Sequence, residues 1–285
     1  MALHKQAPAS ARGGALEIKH VAKSFGADLV GITDFDERWL YTKKFSDMSK
    51  REKPQELPEG MTSVIVVAQA MDYELVKTVP SALSGAATGL GYSHDAMVVL
   101  SLAQYIRNLG YDAVASMNDT ALAIPLAIKA GLGEYGRNGL LITEDYGPRV
   151  RLGKVFTTMP LAADSPVSFG VKAFCELCRR CANSCPVKAI PQGEPSNERH
   201  NISNIKGIKK WSVDGEKCFS YWAAQNSDCS ICIRVCPYNK DYSRWWNKLG
   251  IRLANSPLRA FMLWLDKRLG FGKRKRPKDW WQARA

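Results

Sequence analysis

The sequence has 285 residues, 46% of them hydrophobic, with 40 lysines and arginines against 27 acidic residues and a net charge of +13. That length and apolar content exclude a disordered or fibrous chain and allow one large domain, or one domain with a small module. No apolar run approaches the ~20 residues of a membrane span, and residues 1–14 carry no apolar signal region and no twin arginine, so a cytoplasmic protein without a Sec or Tat leader is expected.

Residues 1–14, with scattered His4, Lys5 and Arg12, read as a flexible arm. Residues 16–25 form an amphipathic helix with Ile18, Val21, Ala22 and Phe25 on one face, stopped by Gly26, and residues 28–33 read as a buried strand. Residues 51–60 are a charged, proline-bearing loop. The clearest strand is 62–70, because Val64, Ile65, Val66 and Val67 are β-branched without interruption. A glycine-rich loop at 84–91 precedes a helix at 93–108, with Ala96, Val99, Ala103 and Ile106 on one face and Gly110 as its cap. A short strand at 111–115 and a helix at 121–130, irregular around Pro125, follow. Residues 139–143 and 150–157 are expected to pair as strands. The alternation of strand and helix ends near Leu161. The expected class is therefore α/β (α+β): an α/β domain at 15–165, a loop-rich module organised by cysteine at 166–240, and a basic, tryptophan-rich tail at 241–285 packing back on the core.

All eight cysteines lie between Cys175 and Cys236. They form two runs, Cys175-x2-Cys178-x2-Cys181-x3-Cys185-Pro186 and Cys218-x10-Cys229-x2-Cys232-x3-Cys236-Pro237. This is the spacing of bacterial two-cluster ferredoxins, in which a tight loop supplies three thiolates and the cysteine before proline reaches the other cluster. It assigns Cys175, Cys178, Cys181 and Cys236 to one 4Fe–4S cluster and Cys185, Cys218, Cys229 and Cys232 to the second. Disulfides would need an oxidising compartment. Zinc favours two separated C-x2-C pairs, often with histidine, over two tails ending in Cys-Pro.

Gly131-x-Gly133-x-x-Gly136 matches the dinucleotide fingerprint in letters, but a helix precedes it and an extended segment follows, the reverse of the strand–turn–helix that fingerprint needs. Two readings stay open for these glycines: a turn bringing backbone amides close to a bulky ligand, and a helix C-cap. Seven basic residues fall between Lys267 and Lys278, beside Trp264, Trp280 and Trp281. Such a tail suits peripheral contact with an anionic membrane or a phosphate-bearing partner, and better still an acidic electron carrier.

Several phrases together resemble corrinoid-dependent reductive dehalogenases, a superfamily shared with epoxyqueuosine reductases. They are Ala27-Asp28-Leu29-Val30-Gly31, Arg38-Trp39-Leu40-Tyr41, the run from Ala130 to Arg137, and the run from Val155 to Leu161, followed by the two-cluster module. The resemblance implies a nitroreductase-like α/β domain holding cobalamin in its base-off form. In agreement, none of the four histidines, His4, His20, His94 and His200, stands in the D-x-H-x-x-G arrangement that supplies a lower cobalt ligand elsewhere. The family's active-site pattern falls on Thr88, Tyr92, Asn118 and Arg151. It implies Tyr92 as proton donor, Arg151 as the cation that holds the tyrosinate, Asn118 as the group that orients Tyr92 or solvates the departing halide, and Thr88 beside the cofactor. The plain readings are a helix start for Tyr92, a turn for Asn118 and a strand-edge charge for Arg151.

The implied reaction is replacement of a carbon-bound halogen by hydrogen, using cob(I)alamin fed by the two clusters. The chain is shorter than respiratory members of the family and carries no fused flavin and ferredoxin reductase module, so a separate ferredoxin or flavodoxin is the expected electron donor. Two alternatives stand beside an organohalide-reducing enzyme. One is a tRNA-modifying reductase of the epoxyqueuosine type, which the basic charge suits but whose expected proton donor is an aspartate. The other is a non-catalytic electron-transfer or corrinoid-reactivating iron–sulfur protein.

Overall fold

The computed structural model describes residues 10–46 and 50–283. Most of the expected N-terminal arm, residues 1–9, lies outside them. The first helix, α1 (Ala11–Ser24), begins earlier than its apolar face indicates, because Ser10 caps it and accepts the amide of Gly13 at 3.0 Å. The cap, rather than the buried stripe of Ile18 and Ala22, sets where it starts. Strand β1 (Leu29–Asp34) follows.

The expected loop at 51–60 is in part a strand. β2 (Lys43–Ser46) and β3 (Arg51–Pro54) pair antiparallel, and Lys43 bridges to Glu52 at 2.7 Å across them. Neither strand shows the apolar alternation by which a strand is usually recognised, and the register even sets Lys44 opposite Lys53. Strand β4 (Ser63–Ala70) is buried from Ser63 to Gln69. It is followed by a single turn, α2 (Tyr73–Val76), and by the 27-residue helix α3 (Ala82–Asn108). The glycine-rich stretch 84–91 is therefore helical, which corrects the expected loop and puts Tyr92 inside a helix. Glycine costs a helix about 1 kcal/mol per position. Here a reciprocal cap offsets that cost, with Ser84 N on Ser81 Oγ at 3.2 Å and Ser81 N on Ser84 Oγ at 3.3 Å, and Ser84, Ala87 and Gly91 are buried.

Strand β5 (Ala113–Ser116) and helix α4 (Ala123–Lys129) lead to two short strands, β6 (Glu134–Tyr135) and β7 (Leu141–Ile142), and then to β8 (Val150–Thr157). The expected pairing of 139–143 with 150–157 does not form. β7 pairs with β6 as a hairpin, whereas β8 pairs antiparallel with β5 in a four-stranded sheet of order β1-β4-β8-β5. The reason lies in burial. β8 is buried from Gly153 to Thr157 and needs a neighbour on each side, which a two-residue strand cannot provide.

Beyond β8 the chain is helical and looped: α5 (Val171–Cys178), α6 (Arg180–Ser184), α7 (Gly215–Gln225), α8 (Ile231–Arg234), α9 (Trp245–Ala254), α10 (Arg259–Arg268) and α11 (Pro277–Gln282). Among the described residues no helix is long and apolar enough to cross a membrane.

The chain folds into two compact units that do not follow its sequence order. Of the described residues, the first contains those up to Ala70, 91–133 and 151–167; the second contains 71–90, 134–150 and those from Ser168 onward. The boundary passes through α3 at Leu90 and Gly91, so a division at about 165 does not describe the packing. In the first unit, Ile18 and Ala22 of α1, Ile32, Ile65, Val67 and Val155 of the sheet, and Val98, Leu102 and Ile106 of α3 form the core. In the second, Ile251 and Ala254 of α9 and Leu263 of α10 pack with Phe174, Trp211 and Tyr238, so the tail helices share a core with the cysteine segment. Asp266 of α10, itself buried, pairs with both Arg180 and Lys240. Part of the basic run also turns inward: Arg274 donates to the carbonyls of Thr78 and Pro80, and Lys275 pairs with Glu74 at 2.7 Å. Those two charges are engaged within the chain, which narrows the face left to meet a partner.

Candidate functional site

Two places in the chain gather chemistry-bearing side chains. The first lies in the first unit, where α3, the turn after β5, and β8 each contribute one residue. Tyr92 sits half-buried on α3. Its phenolic oxygen accepts from Asn118 Nδ2 at 2.8 Å and from Arg151 Nη1 at 3.3 Å, and the Arg151 guanidinium lies 4.5 Å from the Tyr92 ring centroid. Two donors, one of them a cation, therefore converge on the oxygen that would carry negative charge once its proton leaves. Asn118 is indeed a turn residue, and the turn is what aims it. Asp119 Oδ1 accepts the Met117 amide at 2.9 Å and the Ser116 hydroxyl at 3.1 Å, while Lys154 of β8 donates to the Met117 carbonyl.

Lys154 and Asp95 escaped the sequence reading. Both are almost completely buried. Burial lowers the Lys154 pKa to about 8, with Asp119 and Asp95 opposing. Burial likewise pushes Asp95 up to about 7 against the pull of Lys154 and Arg151. Asp95 is three residues after Tyr92 on α3, and its Oδ1 has no hydrogen-bond partner among the described residues. The available signal was a lysine inside the apolar strand 150–157 and an aspartate inside the helix 93–108.

Thr88 lies four residues before Tyr92 on α3. It belongs to the second unit, and its hydroxyl donates to Asp228 Oδ2 at 2.7 Å, next to Cys229. Two of the three glycines of the 131–136 motif have a structural reason of their own. Gly131, at φ +73°, follows α4, donates to the Ile128 carbonyl at 3.0 Å, and would bring a Cβ within 2.6 Å of the Ser165 carbonyl. This is the helix C-cap reading. A Cβ on Gly136 would lie 2.7 Å from Asn138 Oδ1 and 2.9 Å from Ile142. Both positions need glycine because the chain itself fills the space. Gly133 lies between them at the edge of the first unit.

The second place is the cysteine segment of the second unit. Cys175 and Cys178 lie on α5, Cys181 on α6, Cys218 on α7 and Cys232 on α8. Arg179, in the left-handed region at φ 48°, breaks the chain between α5 and α6 and turns Cys181 back toward the other two. Cys175, Cys178, Cys181 and Cys236 all line one cavity, together with Arg137, Phe174 and Tyr238. Cys218 and Cys229 each lie in electrostatic reach of Cys185, and Cys232 of all three as well as of Cys181. None of the eight is in a disulfide. Burial pushes the Cys175 and Cys181 thiols up to about 12, with neighbouring cysteines adding to the shift. Such thiols become thiolates only when a bound cation replaces the proton. Among the described residues no three ligating side chains lie close enough to share a single metal ion. Four sulfurs lining one cavity match the four thiolates a 4Fe–4S cluster takes.

Residues 174–239 match the family model of a 4Fe-4S double cluster binding domain, and residues 47–161 match that of the reductive dehalogenase subunit. The chain is 38% identical over 278 residues to a tetrachloroethene reductive dehalogenase of Desulfitobacterium hafniense, covering 83% of this chain and 50% of that protein. The chain belongs to the reductive dehalogenase family. It spans half the length of that dehalogenase. Solved structures of the catabolic reductive dehalogenase NpRdhA, and of a reductive dehalogenase described with a mechanism for B12-dependent dehalogenation, superpose with a TM-score of 0.83 at 26% identity. They cover 94% of this chain and 38% of theirs. An epoxyqueuosine reductase of Aliivibrio fischeri is a more distant relative of this reductive dehalogenase family member, 28% identical over 253 residues, 79% of this chain and 66% of that enzyme. The mixed helix and strand fold and the double-cluster module are thus those of the family, as the sequence motifs imply.

Proposed function

We propose that this chain carries the catalytic and electron-transfer parts of a reductive dehalogenase. In that reaction the carbon–halogen bond breaks, halide leaves, and the carbon takes up two electrons and one proton in its place. The observation that carries the reading is the Tyr92 oxygen held between Asn118 Nδ2 and Arg151 Nη1, in a chain with eight unbridged cysteines in two groups.

The residues fit the groups this reading requires. Cys175, Cys178, Cys181 and Cys236 would hold one 4Fe–4S cluster, and Cys185, Cys218, Cys229 and Cys232 the other. Toward a corrinoid the chain offers a phenolic oxygen held on one side by two donors, on a half-exposed side chain. When bound, cobalamin supplies the low-valent cobalt that delivers the two electrons to the carbon–halogen bond. The polypeptide supplies the proton. Tyr92 gives it to the carbon, while Arg151 and Asn118 hold the oxygen as charge develops on it and keep the ring in one orientation. The clusters that these cysteines would hold would take electrons singly from a low-potential donor, a ferredoxin or flavodoxin. Chlorinated alkenes are the first substrate class to test, since the relative just described is a tetrachloroethene reductive dehalogenase.

The test is anaerobic reconstitution with iron, sulfide and cobalamin, followed by assay of halide release from tetrachloroethene and from halogenated phenols, with epoxyqueuosine tRNA as the competing substrate. Halide release is expected, and Tyr92→Phe should lower it by about 10²–10⁴ while iron and corrinoid contents stay at wild-type levels. Turnover of the tRNA alone would move the chain to the epoxyqueuosine branch. Undiminished halide release by Tyr92→Phe would remove Tyr92 from the proton-donor role.

A further inference from the structure

Arg137 has no part in the reaction as proposed, yet it is among the largest fully buried side chains, with 1% exposure. Three carbonyls hold it in place. Nε donates to Cys175 O at 3.0 Å, and Nη1 donates to Pro191 O at 2.9 Å and Gly193 O at 2.8 Å. Its guanidinium lies 4.6 Å from the Trp211 ring centroid, and Trp211 Nε1 donates to the same Gly193 carbonyl at 3.1 Å. Nη2 is buried and has no hydrogen-bond partner among the described residues.

A guanidinium so deeply buried costs several kcal/mol unless a negative charge faces it. The charges that would favour its cationic form most are those Cys181 and Cys175 would carry as thiolates, ahead of that of Glu194. Arg137 also lines the cavity onto which Cys175, Cys178, Cys181 and Cys236 open, and its backbone amide faces the Cys175 sulfur. A 4Fe–4S cluster with four thiolates is net negative and becomes more so when it accepts an electron. A fixed cation against it therefore stabilises the reduced form more than the oxidised one, and charge and hydrogen bonding at the sulfurs are recognised determinants of cluster potential.

We infer that Arg137 is a buried counter-charge of the cluster held by Cys175, Cys178, Cys181 and Cys236, and that it raises this cluster's reduction potential selectively. The inference rests on the iron–sulfur part of the proposed function. Selectivity follows from where Arg137 lies: it lines the cavity of Cys175, Cys178, Cys181 and Cys236, and the charged groups that act on Cys218 and Cys229 are others, Asp214 on the first, Asp228 and Arg234 on the second. The step concerned is a one-electron reduction by the external low-potential donor, with no bond made or broken.

The experiment is a redox titration of the reconstituted protein followed by electron paramagnetic resonance, which resolves the two clusters. Arg137→Gln should shift one midpoint to lower potential by about 59 mV or more, a tenfold change in a one-electron equilibrium, and leave the other where it was. Arg137→Lys keeps a charge, which the adjacent cluster favours, but loses the three-carbonyl geometry; it should titrate close to wild type while unfolding at lower temperature. No shift in the Gln variant, equal shifts in the Gln and Lys variants, or joint movement of both clusters overturns the inference. If the Gln variant loses one cluster, its retention in the Lys variant supports the charge role, and loss in both reduces Arg137 to a staple of the fold. Absence of iron from the wild-type protein would instead fell the iron–sulfur reading on which all of this stands.

Discussion

The Tyr92 site and the cysteine segment are assembled by opposite means. Tyr92 meets partners 26 and 59 residues away in sequence, on a turn and a strand. Its geometry is made by the fold before any ligand arrives. The cysteines sit mostly on short, irregular pieces, such as the four-residue α8 and the five-residue α6, and none is joined to another by a disulfide. There the bound iron completes the structure. One site should therefore fail by losing its geometry, and the other by losing its ligand.

The largest effect expected from this contrast is in the cysteine segment. Cys178→Ala removes one of the four sulfurs that line the cavity beside Arg137. Bound iron should drop by about half, because each cubane holds four irons on its own four thiolates, and halide release should disappear with the broken electron route. Metal analysis and the visible absorption of anaerobic protein read the first, a chloride assay the second. Full iron content in this variant would break the assignment of Cys178 as a ligand and with it the contrast drawn above.

A smaller effect is expected when the fold-built site loses one donor. Asn118→Ala leaves Arg151 alone on the Tyr92 oxygen. A hydrogen bond to a group that becomes charged contributes about 1.5–3 kcal/mol, so turnover should fall about ten- to a hundredfold with iron content unaltered. Equal loss of iron and activity would mean that the two sites are not independent in the way their construction suggests.

The same difference explains what could be read in advance. The Cys-x2-Cys spacing is local, since two residues between cysteines fix a loop whatever surrounds it, so the eight cysteines can be proposed as ligands from spacing alone. Tyr92, Asn118 and Arg151 are brought together only by tertiary structure and were reachable only through family resemblance. Where tertiary packing overrode local preference, the reading failed. Gly85, Gly89 and Gly91 suggested a loop, yet burial of Ala87 and Gly91 and the Ser81–Ser84 cap made it helix. Proximity in sequence suggested a partner for β8, yet its buried face selected β5. Thr88 fits the family spacing to Tyr92 one helical turn away, but a carboxylate at Asp228 that no local pattern announces claims its hydroxyl.

The smallest expected effect concerns what lies beneath the fold-built site. Burial holds the Asp95 pKa near 7, against 3.8 for the ordinary group. The charged groups acting on it are Lys154 and Arg151, both on β8, and Asp119 bears on Lys154 from the turn after β5. Between those two values the folded chain keeps a proton that the unfolded chain has lost. The contribution of Asp95 to stability is thus fully present below about pH 4 and declines as pH rises through about 7, by at most roughly 1.4 kcal/mol per pH unit. Lys154 does not cancel this trend, because its folded pKa of about 8 lies below the ordinary 10.5 and its own contribution changes only above that range. Asp95→Asn removes the titration at nearly constant shape. Its unfolding midpoint should therefore lose less than the wild-type one between pH 5 and 7.5, by a few degrees in a thermal melt. Parallel pH profiles would mean that Asp95 is already ionised in the folded protein. In that case the Tyr92 site stands on a permanent buried charge balanced by Arg151 and Lys154, and its geometry, like that of the cysteine segment, depends on compensating a charge rather than on packing alone.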